Sequence, residues 1–173
     1  VNTELTVQPG TTTATFLVSA TYNGETATDK FTLVVGGPEV ANPPTGMRPG
    51  ATSMENGDVF LMLRAPGKED VFVLHTFNQF TPTVSSRMKR SVDGETFWLL
   101  IPDEELADDF IYQYFIDATI RQPDPYSTLV LDPNNDQFIN DETFPDIPAY
   151  PANSEGILSW HRRAVAPYVW QTV

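Results

Sequence analysis

Phe110–Asp117, FIYQYFID, constrains the fold more than any other stretch. Aromatic and β-branched side chains fall at both odd and even positions, broken only by Gln113 and Asp117. A strand with one wet face alternates apolar and polar residues; this one does not, so it reads as a central strand that needs cover on both sides. Asp124-Pro125-Tyr126 follows as a proline-pinned corner, and Leu129-Val130-Leu131 as a short return. The fold must therefore supply layers above and below this strand.

The 173 residues hold one ordinary core and at most a second small unit, too few for a barrel enzyme of about 250 residues. With 15 Pro, 10 Gly and no long helical pattern, the expectation is an all-β protein, a sandwich of short strands and turns. A net charge of −13 argues against nucleic acid and anionic membranes as partners, since both are bound through Lys/Arg clusters. The one local concentration, Arg87, Lys89 and Arg90, reads as the solvated end of a strand or loop, with a binding patch as the alternative. There is no cysteine, which excludes disulfides, thiolate zinc sites and thiol catalysis. No apolar run approaches the roughly 18 residues of a membrane span. Val1 begins within strand-like text without a charged-then-apolar leader, so the chain reads as a piece of something longer.

Two β-rich arms flank Asn23-Gly24, a pair suited to positive φ at both centres of a type I′ turn. Phe16, Val18 and Ala20 on one arm and Phe31, Leu33 and Val35 on the other give this hairpin an apolar face that needs a partner. Pattern leaves open whether Val1–Gln8 adds a third strand. Residues 1–36 are thus a hairpin or partial immunoglobulin-like unit, and residues 37–50, crowded with Pro and Gly, a linker. Residues 51–140 form the sandwich: strands at Asp58–Ala65 and Asp70–Leu74 about Pro66-Gly67-Lys68, then Met88–Arg90 and Thr96–Ile101 about Asp93-Gly94. Pro102–Asp109 is the only helical turn expected, its acidic residues lying where a helix dipole favours them. Residues 141–173 read as a proline-rich extended tail, in which Gly156–Trp160 and Tyr168–Gln171 serve as edge strands or docked arms.

Sites of chemistry are sparse. Asp132, Asn134 and Asp136 are spaced like the first three ligands of a calcium loop, but Gln137 stands where the loop needs Gly and Thr143 where it needs Glu. Capped turns are the competing reading. The paired carboxylates, Asp103/Glu104/Glu105, Asp108/Asp109 and Asp141/Glu142, are glycosidase-like in type, yet they cluster as solvated surface. His75 and His161 lie far apart in sequence, and no nucleophile elbow, zinc-binding His pair or phosphate loop occurs. No catalytic residue and no cofactor is assigned. Sugar rings stack on aromatic faces, which makes Phe80, Tyr126, Trp160, Tyr168 and Trp170 candidates, with Trp98 assigned to the core.

Five short stretches in order carry a resemblance. They are Val71–Phe80 with its Phe77-Asn78-Gln79-Phe80 loop, Asp93-Gly94-Glu95-Thr96-Phe97-Trp98, Phe110–Thr119, Asp124-Pro125-Tyr126 with Leu131-Asp132-Pro133, and Pro148-Ala149-Tyr150-Pro151 with Gly156-Ile157. Together they resemble the early-set immunoglobulin-like domain that precedes the catalytic barrel in the alpha-amylase family of glycoside hydrolases. The hairpin resembles the last two strands of a bacterial immunoglobulin-like repeat. The resemblance implies a non-catalytic accessory domain of a secreted, periplasmic or cell-surface bacterial enzyme acting on α-glucans, with an intramolecular catalytic barrel as partner. The alternatives are an α-glucan-binding module in its own right and a cell-surface adhesion module. Where the family's glycogen-binding relatives hold sugar with Trp, Lys and Trp, this sequence has Phe80, Gln113 and Ile120. That implies a lost stacking platform, with Phe80, Gln113, Tyr126 and Trp160 as the residual carbohydrate-binding candidates.

Overall fold

A computed structural model of the chain describes residues 12–107, 109–140 and 142–163, apart from the side chain at position 31. Its strands are β1 (Thr13–Tyr22), β2 (Glu25–Val34), β3 (Gly50–Ser53), β4 (Val59–Arg64), β5 (Val71–His75), β6 (Lys89–Arg90), β7 (Thr96–Ile101), β8 (Asp109–Ile116), β9 (Ile120–Gln122), β10 (Val130–Leu131) and β11 (Leu158–Arg162). One sheet runs β3-β4-β7-β6. The other runs β10-β11-β8-β5, with β9 also pairing β8, and β1-β2 stand apart as a two-stranded ribbon. The all-β sandwich expected from the sequence is what the chain forms. The helical expectation at Pro102–Asp109 shrinks to a single 3-10 turn at Asp103–Glu105.

The period of two explains the layers. Val59, Leu61 and Leu63 of β4 and Phe97, Leu99 and Ile101 of β7 point inward. They meet Val71 and Val73 of β5 and Phe110, Tyr112, Tyr114 and Ile116 of β8. The other face of the second sheet buries Phe72, Leu74 and Ile111 with Phe80, Leu131, Leu158 and Trp160, under Phe144 and Ile147 of the tail. β8 is thus covered on both faces, as its unbroken apolar run demands.

The tail departs from expectation. β11 is no edge strand: it pairs β10 on one side and β8 on the other, with Ser159 opposite Tyr112 and Trp160 opposite Ile111. The reason is its side chains, since burying Leu158 and Trp160 is worth about 2–3 kcal/mol each and both sit in the core. The sandwich therefore closes only at Arg162, well past residue 140. Linker residues are also used, because Ala41 N–H donates to Arg90 O and Arg90 N–H to Glu39 O, adding a short parallel rung beside β6.

The ribbon turns where expected, with Asn23 at φ 51° and Gly24 at φ 84°. Its expected apolar face is only partly covered, with Phe16 half-buried. Val18 and Leu33 on the expected apolar face stay exposed, while Val34 on the opposite face packs against the sandwich. Arg87 sets this. Its side chain is only 10% exposed and holds Asp70 through two bonds (2.7 and 3.1 Å). It also donates to the carbonyls of Val34, Val35 and Gly37 at 3.0–3.4 Å. This residue, read from sequence as solvated charge, is the bolt between ribbon and sandwich.

Candidate functional site

A buried polar cluster sits between the sheets, where β8 and β11 meet the Asp124-Pro125-Tyr126 corner. The Tyr112 hydroxyl donates to Asp124 Oδ2 at 2.7 Å and the Tyr114 hydroxyl to the same oxygen at 3.3 Å. Tyr126 N–H donates to Oδ1 at 2.9 Å, and Asp124 N–H donates to Ser159 Oγ at 2.6 Å. Burial pushes both tyrosine hydroxyls well above their ordinary range, helped at Tyr112 by the Tyr114 phenol and the Asp124 carboxylate and at Tyr114 by the Asp124 carboxylate, so they remain protonated donors. Gly50 lets the corner close: a Cβ there, at φ 100°, would lie 2.9 Å from the Tyr126 Cβ.

Beside the cluster, Ser53 Oγ and His161 Nε2 lie 2.9 Å apart. Burial, then Arg163, lowers the His161 pKa, so the imidazole is neutral at pH 7. A hydroxyl next to a neutral imidazole is where nucleophilic catalysis starts, and it then needs a group that orients the base. Asp124 is spent on Tyr112, Tyr114 and Tyr126 instead. The pair ties β3 to β11, one strand from each sheet.

The carbohydrate candidates are scattered, and most are buried. Phe80 is 2% exposed within the outer core, so the expectation that it offers a ring to a sugar is corrected. Gln113 is fully buried, with Nε2 donating to Glu155 O and Oε1 accepting from Arg121 Nη1. Trp160 is 3% exposed, stacked edge-on against Phe144, with Nε1 donating to Asp109 Oδ1 at 2.8 Å. Among the described candidates Tyr126 alone keeps an open face, at 52% exposure. Trp98, assigned to the core, lies instead on the outer side of the first sheet, stacked on Phe60 and held by Ala41 O at 2.7 Å.

At the calcium-like stretch the oxygens are occupied by the turn itself. Asp132 accepts from Asn134 N–H and from Asn135 Nδ2, which lowers its pKa, and Asp136 accepts from Asp132 N–H at 2.8 Å. Capped turns are thus what these residues build. Among the described residues no three His, Asp or Glu side chains gather as a metal site, and no helix is long and apolar enough to cross a membrane. Asp103 pairs with Arg163 and Asp109 with Arg162. Asp108, Asp141, Tyr168, Trp170 and the open question of a strand at Val1–Gln8 lie outside the described residues.

Parts of the chain are similar to solved structures. A 51% stretch of the chain superposes on a pullulanase from Paenibacillus barengoltzii with a TM-score of 0.38 and 22% identity, covering 14% of that chain. A 56% stretch superposes on the catalytic module of SpuA, a glycogen-degrading pneumococcal virulence factor, with a TM-score of 0.40 and 23% identity, covering 15% of that chain. The chain spans about one seventh of the length of these structures. No family model and no curated protein matches it.

Sequence reading missed Ser159, although a lone hydroxyl between Leu158 and Trp160 is the signature of a buried polar partner. It also missed Arg121, the only Lys or Arg between Arg90 and Arg162.

Proposed function

We propose that this chain is an accessory β-sandwich of an alpha-amylase-family glycoside hydrolase, packing against the catalytic barrel while the bond-breaking carboxylates reside elsewhere in the parent protein. The observation that carries the reading is the use to which the family-like motifs are put. Asp124 of the Asp-Pro-Tyr corner pins β8 to β11 through Tyr112, Tyr114 and Ser159. The carboxyl groups that a glycosidase would aim at a bond are tied to arginines at Asp103 and Asp109 and to turn N–H groups at Asp132 and Asp136. Retaining and inverting enzymes need two free carboxyl groups about 5–10 Å apart across an open cleft.

The test is calorimetry of the parent protein with and without residues 12–163. A packed accessory domain unfolds together with the catalytic unit, and its removal lowers the Tm of what remains. Independent transitions with an unchanged Tm would overturn the reading. That outcome would favour a self-sufficient cell-surface module, for which β11 closing the sandwich and the tail packing through Phe144 and Ile147 both speak.

A further inference from the structure

The ribbon leans on the sandwich so as to leave a cleft of about 430 Å³ between them. Lys30 and Thr32 of β2 form one wall, Gln79 and Thr81 of the loop after β5 the second, and Arg121 of β9 with Asn153 of the tail the third. The volume suits a small ligand. Three features set this cleft apart.

The first is charge. In a chain of net charge −13, two cations face this cleft; the cleft at Val34 and Val35 also holds two, Arg87 and Lys89, but those are paired with Asp70 and Glu39. Lys30 makes no ion pair among the described residues. Arg121 gives Nη1 to Gln113 Oε1 at 3.0 Å and lies 5.2 Å over the Phe115 ring. Its carboxylate neighbour, Glu155, is 3.7 Å away and mostly in solvent, which leaves guanidinium donors for something else.

The second is backbone strain. Gln79 and Phe80 are consecutive left-handed residues at φ 53° and 54°, and Asn153 stands at φ 63°. Three of the six described non-glycine residues with positive φ therefore line this cleft. Such conformations cost about 1–3 kcal/mol each and gather where ligands are held. The third is the lack of a stacking face, since the Phe80 ring is buried and the ring of Phe115 lies beneath Arg121. A neutral sugar held by aromatic stacking is poorly served here. An oxyanion with hydroxyls around it is well served, by Lys30 and Arg121 for the charge and by Thr32, Gln79, Thr81 and Asn153 for the hydroxyls.

We propose that the cleft between ribbon and sandwich binds a sugar carrying an oxyanion, a phosphate ester or a carboxylate, gripped by Lys30 and Arg121. The inference does not depend on the accessory role. Titration calorimetry of the folded chain with glucose 6-phosphate, glucuronate, glucose, maltotriose and inorganic phosphate tests it. At least one anionic sugar saturates a single site about tenfold or more tighter than glucose, maltotriose or phosphate, and the stronger of the two identifies the oxyanion. Lys30→Gln and Arg121→Gln each weaken that binding about tenfold, the loss of one charge-assisted hydrogen bond. Lys30 is exposed and its side chain has no partner among the described residues, so its variant keeps the parent fold and Tm even if the loss of the Arg121–Gln113 bond perturbs the other. Binding of maltotriose or free phosphate as tight as that of the anionic sugars would overturn the proposal. So would an undiminished affinity in Lys30→Gln, or no binding of either anionic sugar.

Discussion

Lowering the pH from 7 to 5 should cost this fold about 2 kcal/mol through one side chain, His75. Burial lowers its pKa from 6.5 to about 4, and its Nδ1 has no hydrogen-bond partner among the described residues. The ring is wedged against Phe110 at 5.5 Å between centroids. The folded state therefore keeps the imidazole neutral down to about pH 4, while the unfolded chain takes up its proton from about pH 6.5. Between those values the unfolded state binds more protons, so stability is complete above 6.5 and falls as the pH drops, by about 1.4 kcal/mol per pH unit once well below 6.5. Integrating both titrations from pH 7 to 5 gives about 2 kcal/mol, or roughly 1 M in urea midpoint for an m-value near 2 kcal/mol/M. Urea unfolding of the parent and of His75→Leu at both pH values isolates the effect, since the lowered His161 and the depressed carboxylates of Asp93, Asp117 and Asp132 are common to both proteins. The variant should lose about 2 kcal/mol of the pH 7-to-5 dependence, keeping the share that comes from His161, and gain about 1 kcal/mol at pH 7 from removal of an unsatisfied buried nitrogen. An equal pH dependence in the two proteins would refute the argument.

Asp124→Ala leaves the Tyr112 and Tyr114 hydroxyls and the Tyr126 N–H without their acceptor, and should cost about 3 kcal/mol or more by denaturant unfolding. Tyr114→Phe removes only the 3.3 Å bond and should cost about 1 kcal/mol or less, so equal losses would contradict the ranking. Trp160→Ala should cost about 3–5 kcal/mol, as expected for a core residue of an interior strand; a loss under 1 kcal/mol would return β11 to the status of a loose arm. Arg87→Met should free the ribbon, seen as faster proteolysis at Gly36-Gly37 with the sandwich retained, and unchanged cleavage there would deny Arg87 its bolting role.

What the sequence made legible was local. FIYQYFID announced a strand covered on both faces, Asn23-Gly24 a tight turn, and TFWLLI the partner of β6, because period and turn chemistry are written in neighbouring residues. What it hid was set by distant contacts. Pro148 and Pro151 made residues 141–173 look like a loose tail, yet the five residues Leu158–Arg162 hold no proline and complete the sheet by pairing with β8 some fifty positions earlier. Arg87 looked like surface charge because Asp70 and the carbonyls of Val34 to Gly37 meet it only in space. The candidate site was the least legible. Phe80, Gln113 and Trp160 are residue types that bind sugars when exposed, and only the tertiary packing shows them facing inward. The cleft at Lys30 and Arg121 joins residues 91 positions apart, with no local signal beyond the isolation of Arg121 among the basic residues.

The proposal that stands to be tested is that this chain is an accessory scaffold and does not itself hydrolyse α-glucan. Prolonged incubation of the purified chain with maltoheptaose and with soluble starch, followed by chromatography of the released sugars, tests it most directly. The account predicts a product level equal to the protein-free control at every pH from 5 to 8. Shorter maltooligosaccharides accumulating in proportion to protein concentration, and abolished by neutralising any one carboxylate of the chain, would contradict it.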